Sequence, residues 1–144
     1  EPNLQGKWTL IVARPAASCQ LPDDECVSLL RLMRQVKIST GKESQRVQLI
    51  WLITDQSPIH PEVEKAYDME SSGFRTIRMP VDLKKREQLN QWLNLDGAGS
   101  AIHLLDPHTD RMMRFDTSRG APDFKKFSKD LIKLLKWNVT GKAS

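Results

Sequence analysis

Lys7 to Val36, KWTLIVARPAASCQLPDDECVSLLRLMRQV, sets an apolar run, a proline-bearing loop and an amphipathic segment in immediate succession. Trp8 to Ala13 is short, apolar and β-branched, the pattern of a strand covered on both faces. Arg14-Pro15 ends it, because proline has no N–H to give to a sheet ladder. Asp23, after Pro22, reads as a helix N-cap, with Asp24 and Glu25 in the first turn where carboxylates suit the positive helix end. Cys26, Leu29, Leu30, Met33 and Val36 then recur at helical spacing and form one apolar stripe. Cys19 therefore belongs to the strand-to-helix loop and Cys26 to the first helical turn, and these are the only two cysteines of the chain.

Strand and helix signals alternate beyond this stretch. The first helix, from Asp24 to about Ile38, stops at Ser39-Thr40-Gly41, with Gly41 as the C-terminal cap. Arg46 to Thr54 is a second buried strand, followed by a loop from Asp55 to Pro61. Pro61 starts a short helix to Met69, which Ser71-Ser72-Gly73 breaks. Phe74 to Met79 is a weaker strand, placed at a sheet edge by Pro80. Leu83 to Leu95 is helical, with Leu89, Trp92 and Leu93 on one side. After a turn at Gly97 to Ser100, Ala101 to Leu105 and Arg111 to Phe115 form a hairpin across DPHTD. Pro122 to Trp137 is the last helix, with Phe124, Phe127, Leu131, Leu134 and Leu135 in a stripe and lysines opposite. The order predicts an α/β sandwich, a mixed central sheet flanked by helices. Residues 1–6 read as a lead-in, 7–137 as one domain and 138–144 as a frayed tail.

Composition narrows the classes of function. With 39% hydrophobic and 28% charged residues, the 144-residue chain describes a soluble globular domain. Its apolar runs fall far short of the roughly 18 residues that a membrane span needs. The net charge is +4, and basic residues mix with acidic ones except at Lys84-Lys85-Arg86 and Lys125-Lys126. Solvated helix faces are the plain reading of those runs; a patch for nucleic acid or anionic lipid is the alternative. The sequence shows no aromatic-basic interleaving of an RNA-binding kind, no Gly-rich phosphate loop, no nucleophile elbow and no HExxH.

A strand, a cysteine loop and a helix carrying the second cysteine form the layout of a thioredoxin-like active site. The segments GKWTLIVARP and AIHLLDPHTDRMMRF, with the two cysteines, resemble Sco/SenC-type thioredoxin-like domains, membrane-anchored proteins of copper delivery to cytochrome c oxidase. CVSLLRLMRQ, GKESQRVQLIWLITD and the late LLDP are similar to a group of membrane-anchored thioredoxin-like proteins from bacterial cytochrome oxidase assembly gene clusters. The resemblance spans roughly residues 4 to 137. It implies a thioredoxin-like fold, an upstream membrane anchor, the periplasmic face of the inner membrane, and partners among cytochrome c oxidase assembly factors or subunits. It also implies Cu(I), held by Cys19 and Cys26.

Two departures from the Sco pattern bear on the metal. Sco domains use C-x3-C, whereas Cys19 and Cys26 are spaced C-x6-C. Sco domains also place a histidine just before the strand that ends in the D-P turn. Alignment through Leu105-Asp106-Pro107 puts Ala98 or Gly99 there, and His103 falls inside the strand instead. Cu(I) favours soft thiolates with imidazole as a third ligand, so His103 is the candidate third ligand if its side chain turns toward the cysteine loop.

Cys19 and Cys26 thus admit three readings. As a copper pair they need a third ligand or a partner's ligand. As the dithiol of a thiol–disulfide oxidoreductase they need a usable thiolate, which the helix N-terminus favours and Asp23, Asp24 and Glu25 oppose. As a structural bridge in a non-catalytic interaction module they need only an oxidising compartment, and closing their eight-residue loop is worth about 2.5 kcal/mol. His60 and His108 read as exposed loop residues, and His103 as a satisfied or surface histidine unless it ligates. Met33 and Trp8, Trp51, Trp92 and Trp137 read as core. Asp55, ending the second strand at a carboxyl edge where ligands often sit, reads foremost as a loop cap. Asn138-Val139-Thr140 fits the glycosylation pattern.

Overall fold

Trp8–Arg14 forms β1 and is buried at every position, as its unbroken apolar run requires. The computed structural model describes residues 5–67, 73–93, 101–118 and 120–137. A short 3-10 turn, Ala16–Ser18, follows β1, and α1 runs Glu25–Ser39. β2 is Val47–Ile53, α2 Pro61–Tyr67, β3 Phe74–Arg78 and α3 Leu83–Leu93. β4 is Ala101–Leu105, β5 Arg111–Asp116 and α4 Phe124–Trp137. The sheet order is β3-β2-β1-β4-β5. β1 runs parallel to β2, and β2 parallel to β3. β1 pairs antiparallel with β4, and β4 with β5, so the sheet is mixed as expected. β3 takes the edge that Pro80 predicted.

Boundaries move by one or two residues, each for a local reason. α1 begins at Glu25 with Asp24, not Asp23, in the N-cap position. A 3-10 helix over Gly41–Arg46, absent from the sequence reading, removes Arg46 from β2. Gly41 has the expected left-handed φ of 62°, just past the end of α1. α4 starts at Phe124, because the Asp123 carboxylate accepts the Lys126 N–H at 3.0 Å and so caps the first turn. The hairpin loop is closed by Asp106, whose carboxylate accepts the N–H groups of His108 and Asp110 at 2.9 Å each. The expected roles of Leu89, Trp92, Leu93, Trp137, Ala98, Gly99 and Asn138 fall on side chains or segments outside the described residues.

Strand alternation divides the core between two sheet faces. One face carries Leu10, Val12, Leu49, Trp51, Ile53, Ile102 and Leu104, and packs against α1, α2 and α4 through Leu30, Met33, Val63, Tyr67, Phe127 and Leu131. The other carries Ile11, Ala13, Ile50, Leu52 and Leu105. α1 and α4 lie side by side, tied by a 2.6 Å hydrogen bond between the Ser39 and Ser128 hydroxyls. Arg46, from the 3-10 helix Gly41–Arg46 that follows α1, donates to the Leu135 carbonyl of α4 at 3.2 Å.

The α4 stripe is narrower than its sequence suggests. Phe127 is 1% exposed and stacks on Phe115 at 3.9 Å, whereas Phe124 remains 39% exposed. Phe127→Ala is therefore expected to cost about 3–5 kcal/mol of unfolding free energy, the range for emptying a buried aromatic site. Phe124→Ala should cost less than about 1 kcal/mol. Urea denaturation of the two variants checks the assignment.

Candidate functional site

The carboxyl ends of β1 and β2 meet the amino end of α1, and this junction gathers the chemistry that the described residues contain. The peptide of Arg14 anchors it: its carbonyl accepts the Trp51 indole N–H at 3.1 Å and the Thr54 N–H at 3.2 Å. The Arg14 side chain turns inward, 8% of the residue being exposed. Its guanidinium donates to the Glu25 carboxylate at 3.0 Å and to the Thr117 hydroxyl at 3.2 Å. One cation thus connects β1, the first turn of α1 and the loop after β5. The sequence marked Arg14 only as a strand terminator, since nothing in its neighbours announces a partner 103 residues away.

Two aspartates shape the cysteine loop. Asp55 accepts the Ala16 and Ala17 N–H groups at 2.8 and 3.2 Å, clamping the turn that leads to Cys19. This is the loop-capping role expected of it. Burial opposes its ionisation, but the N–H groups of Ala16 and Ala17 and the bonds from Ser57 outweigh it and hold the carboxyl below the usual range. Asp24 turns backward instead of capping α1, accepting the Leu21 and Gln20 N–H groups at 2.9 and 3.0 Å. Those bonds lower its pKa as well.

Held in this way, Cys19 and Cys26 form a disulfide with their Cα atoms 4.9 Å apart. The longer C-x6-C spacing therefore does not keep them out of bonding range, because the 3-10 turn and the Asp24 bonds fold the intervening residues back. The bridge is sealed: Cys19 is 0% and Cys26 2% exposed, both packed in the core face that α1 covers. Beside it opens a pocket of about 570 Å³, lined by Arg14, Pro15, Ser18, Glu25, Cys26 and Thr117 among others.

His103 does not join the cysteines. It pairs with Ile11 across β1–β4, so its side chain projects from the Ile11 and Leu105 face, while the disulfide lies on the Leu10 and Ile102 face. The sheet itself stands between the imidazole and the sulfurs. His103 is also neither exposed nor satisfied: it is 0% exposed, and neither ring nitrogen has a hydrogen-bond partner among the described residues. The other histidines keep their distance. His108 is exposed in the hairpin turn, and half-buried His60 accepts the Glu62 N–H at 3.1 Å through Nδ1. Among the described residues no three His, Cys, Asp or Glu side chains assemble into a metal-holding group.

The buried imidazole has a measurable consequence. Burial, with Arg111 and Arg114 adding to it, lowers the His103 pKa to about 4. An unfolded histidine titrates near 6.5, so between those values the unfolded chain binds the extra proton and gains by it. Stability is expected to be full above about pH 6.5 and to fall as pH drops toward 4, by an amount on the order of 3 kcal/mol. His103→Leu should abolish that slope, leaving only the acid loss at lower pH from carboxylates such as Asp24 and Asp55. Chemical denaturation as a function of pH, on both proteins, measures it.

Comparison with known proteins places this geometry. Yeast Sco1 with copper bound superposes with a TM-score of 0.61 at 18% identity, covering 93% of this chain and 81% of that one. Bradyrhizobium japonicum ScoI with copper bound gives 0.55 at 19%, covering 90% and 86%. A SCO1/SenC family lipoprotein from Bacillus anthracis gives 0.60 at 15%, covering 92% and 83%. At these identities the likeness is one of fold. No curated protein sequence matches the chain. The family model described as the transmembrane-like, thioredoxin-like C-terminal domain matches residues 8–138, so this chain belongs to that family of thioredoxin-like domains.

Proposed function

We propose that the chain is an accessory Sco-like domain of cytochrome c oxidase assembly that works by binding a partner protein at the pocket beside Cys26, with Cys19–Cys26 as a structural staple. The observation that carries this reading is the sealed disulfide. Thiol–disulfide exchange needs an attacking thiolate to reach a sulfur; Cys19 is fully buried, and Cys26, although it lines the pocket, is only 2% exposed. The polar wall of Arg14, Glu25 and Thr117 supplies donors and acceptors for a partner's backbone or side chains. The reading also places the domain on the periplasmic face of the inner membrane, anchored upstream, where a disulfide persists.

A second reading, delivery of Cu(I), has its own support: the two sulfurs lie in one bridge, and two of the structural neighbours are described with copper bound. The donor set fits it only in part. Reduction would free two soft thiolates, but the third ligand expected at His103 lies across the sheet.

Two measurements separate these readings. For a staple, the disulfide should have a reduction potential below about −300 mV. Replacing both cysteines by serine should lower stability by about 2.5 kcal/mol, the worth of the closed loop. The fully reduced chain, titrated with Cu(I) against a competing chelator with an alkylated control, should then show no tight thiol-dependent site. One tight, thiol-dependent Cu(I) per chain would overturn the staple reading in favour of copper handling. A potential above roughly −270 mV with ready exchange would favour an oxidoreductase.

A further inference from the structure

α4 buries one side in the core and turns a chemically uniform side outward. Phe127, Leu131 and Leu135 face inward. Lys125, Lys126, Lys129, Lys133 and Lys136 are all exposed, and none forms a salt bridge among the described residues. At 100° per residue, Lys125, Lys129, Lys133 and Lys136 share one arc of the helix, with Lys126 at its margin. Their charges exceed the net +4 of the whole chain, so the rest of the surface is close to balanced or slightly acidic. Of the carboxylates nearest the arc, Glu43 is engaged by Arg46 at 2.6 Å, and Asp130 borders only the Lys126 and Lys133 side, at i,i+4 and i,i+3 spacing, leaving Lys125, Lys129 and Lys136 farther from it.

Apolar groups border that arc, Ile132 at its edge and Phe124 as the exposed end of the adjoining apolar stripe. Phe124 is 39% exposed at its start, and Ile132 is half-buried at its middle. Two shallow depressions run along it, of about 320 and 610 Å³. Ile132 and Lys136 line both, and Lys42 from the neighbouring 3-10 helix joins the rim of the first. A lysine arc beside exposed Phe124 and half-buried Ile132 matches the headgroup and upper acyl region of an anionic bilayer. Long lysine stems reach phosphates while Phe124 and Ile132 meet the apolar boundary. A nucleic-acid surface is a poorer match, because α4 contributes no arginine and, among its described side chains, no exposed tyrosine or tryptophan.

We infer that the outer face of α4, Lys125, Lys129, Ile132, Lys133 and Lys136 with Phe124, docks the domain against the surface of an anionic phospholipid bilayer. The inference does not depend on the pocket, on the cysteines or on any upstream anchor. Each lysine near such a surface contributes about 1 kcal/mol, or roughly fivefold in partitioning.

Co-sedimentation of the 144-residue chain with unilamellar vesicles tests it. Binding is expected to vesicles of phosphatidylcholine containing phosphatidylglycerol, to weaken steeply with added salt, and to be absent with phosphatidylcholine alone. Lys129→Gln with Lys133→Gln should weaken it by at least tenfold, and Phe124→Ala should weaken it further. Lys84→Gln with Lys85→Gln, an equal charge change on α3, should leave it within twofold. Failure to bind the anionic vesicles would overturn the inference, as would equal losses in the two double variants. Tighter binding to a single-stranded oligonucleotide than to the vesicles at the same ionic strength would also overturn it.

Discussion

β1 is the constraint on which the rest depends. It is buried on both faces and hydrogen-bonded on both edges, with parallel β2 on one side and antiparallel β4 on the other. In a strand so enclosed, a charged side chain is costly unless it is partnered. Its carboxyl end is where that rule becomes demanding. Arg14 brings a cation inside, and its cost is offset where Glu25 and Thr117 receive the guanidinium, while Trp51 and Thr54 use its carbonyl. The geometry of the pocket follows from that need for partners.

The cysteine loop is held by the same logic. Asp55 fixes its beginning and Asp24 its end, each by accepting backbone N–H groups that a tight loop cannot pair within itself. The disulfide closes a loop that hydrogen bonds already shape, which agrees with a stapling role. The negative charges around Cys26 are thereby explained as structural: Asp24 ties the loop and Glu25 pairs with Arg14. What remains open to solvent is the pocket lined by Arg14, Glu25 and Thr117. The lysine arc of α4 has a different origin, because nothing in the described fold uses it.

His103 shows how far a family pattern reaches. The resemblance supplied a search for a third copper ligand, and period-two alternation in β4 decides the outcome. Pairing with Ile11 sends the imidazole to the face away from the sulfurs, where burial and the neighbouring Arg111 and Arg114 keep it neutral. A shift of one residue in register would have reversed that orientation.

Much of the fold was legible because its signals are local. Continuous apolar runs marked β1 and β2, helical spacing from Cys26 to Val36 marked α1, Pro80 marked an edge strand, and DPHTD marked the hairpin. The alternation of these elements was enough for a mixed α/β sheet and for placing both cysteines at one strand-to-helix junction. It did not reveal the 3-10 helix of Gly41–Arg46, the backward-turned Asp24 or the burial of Arg14, because each depends on partners distant in the chain or on a local bond that competes with a helix cap. Strand register and loop closure, both products of long-range packing, likewise decided what spacing left open: Cys19 and Cys26 meet, and His103 lies across the sheet from them.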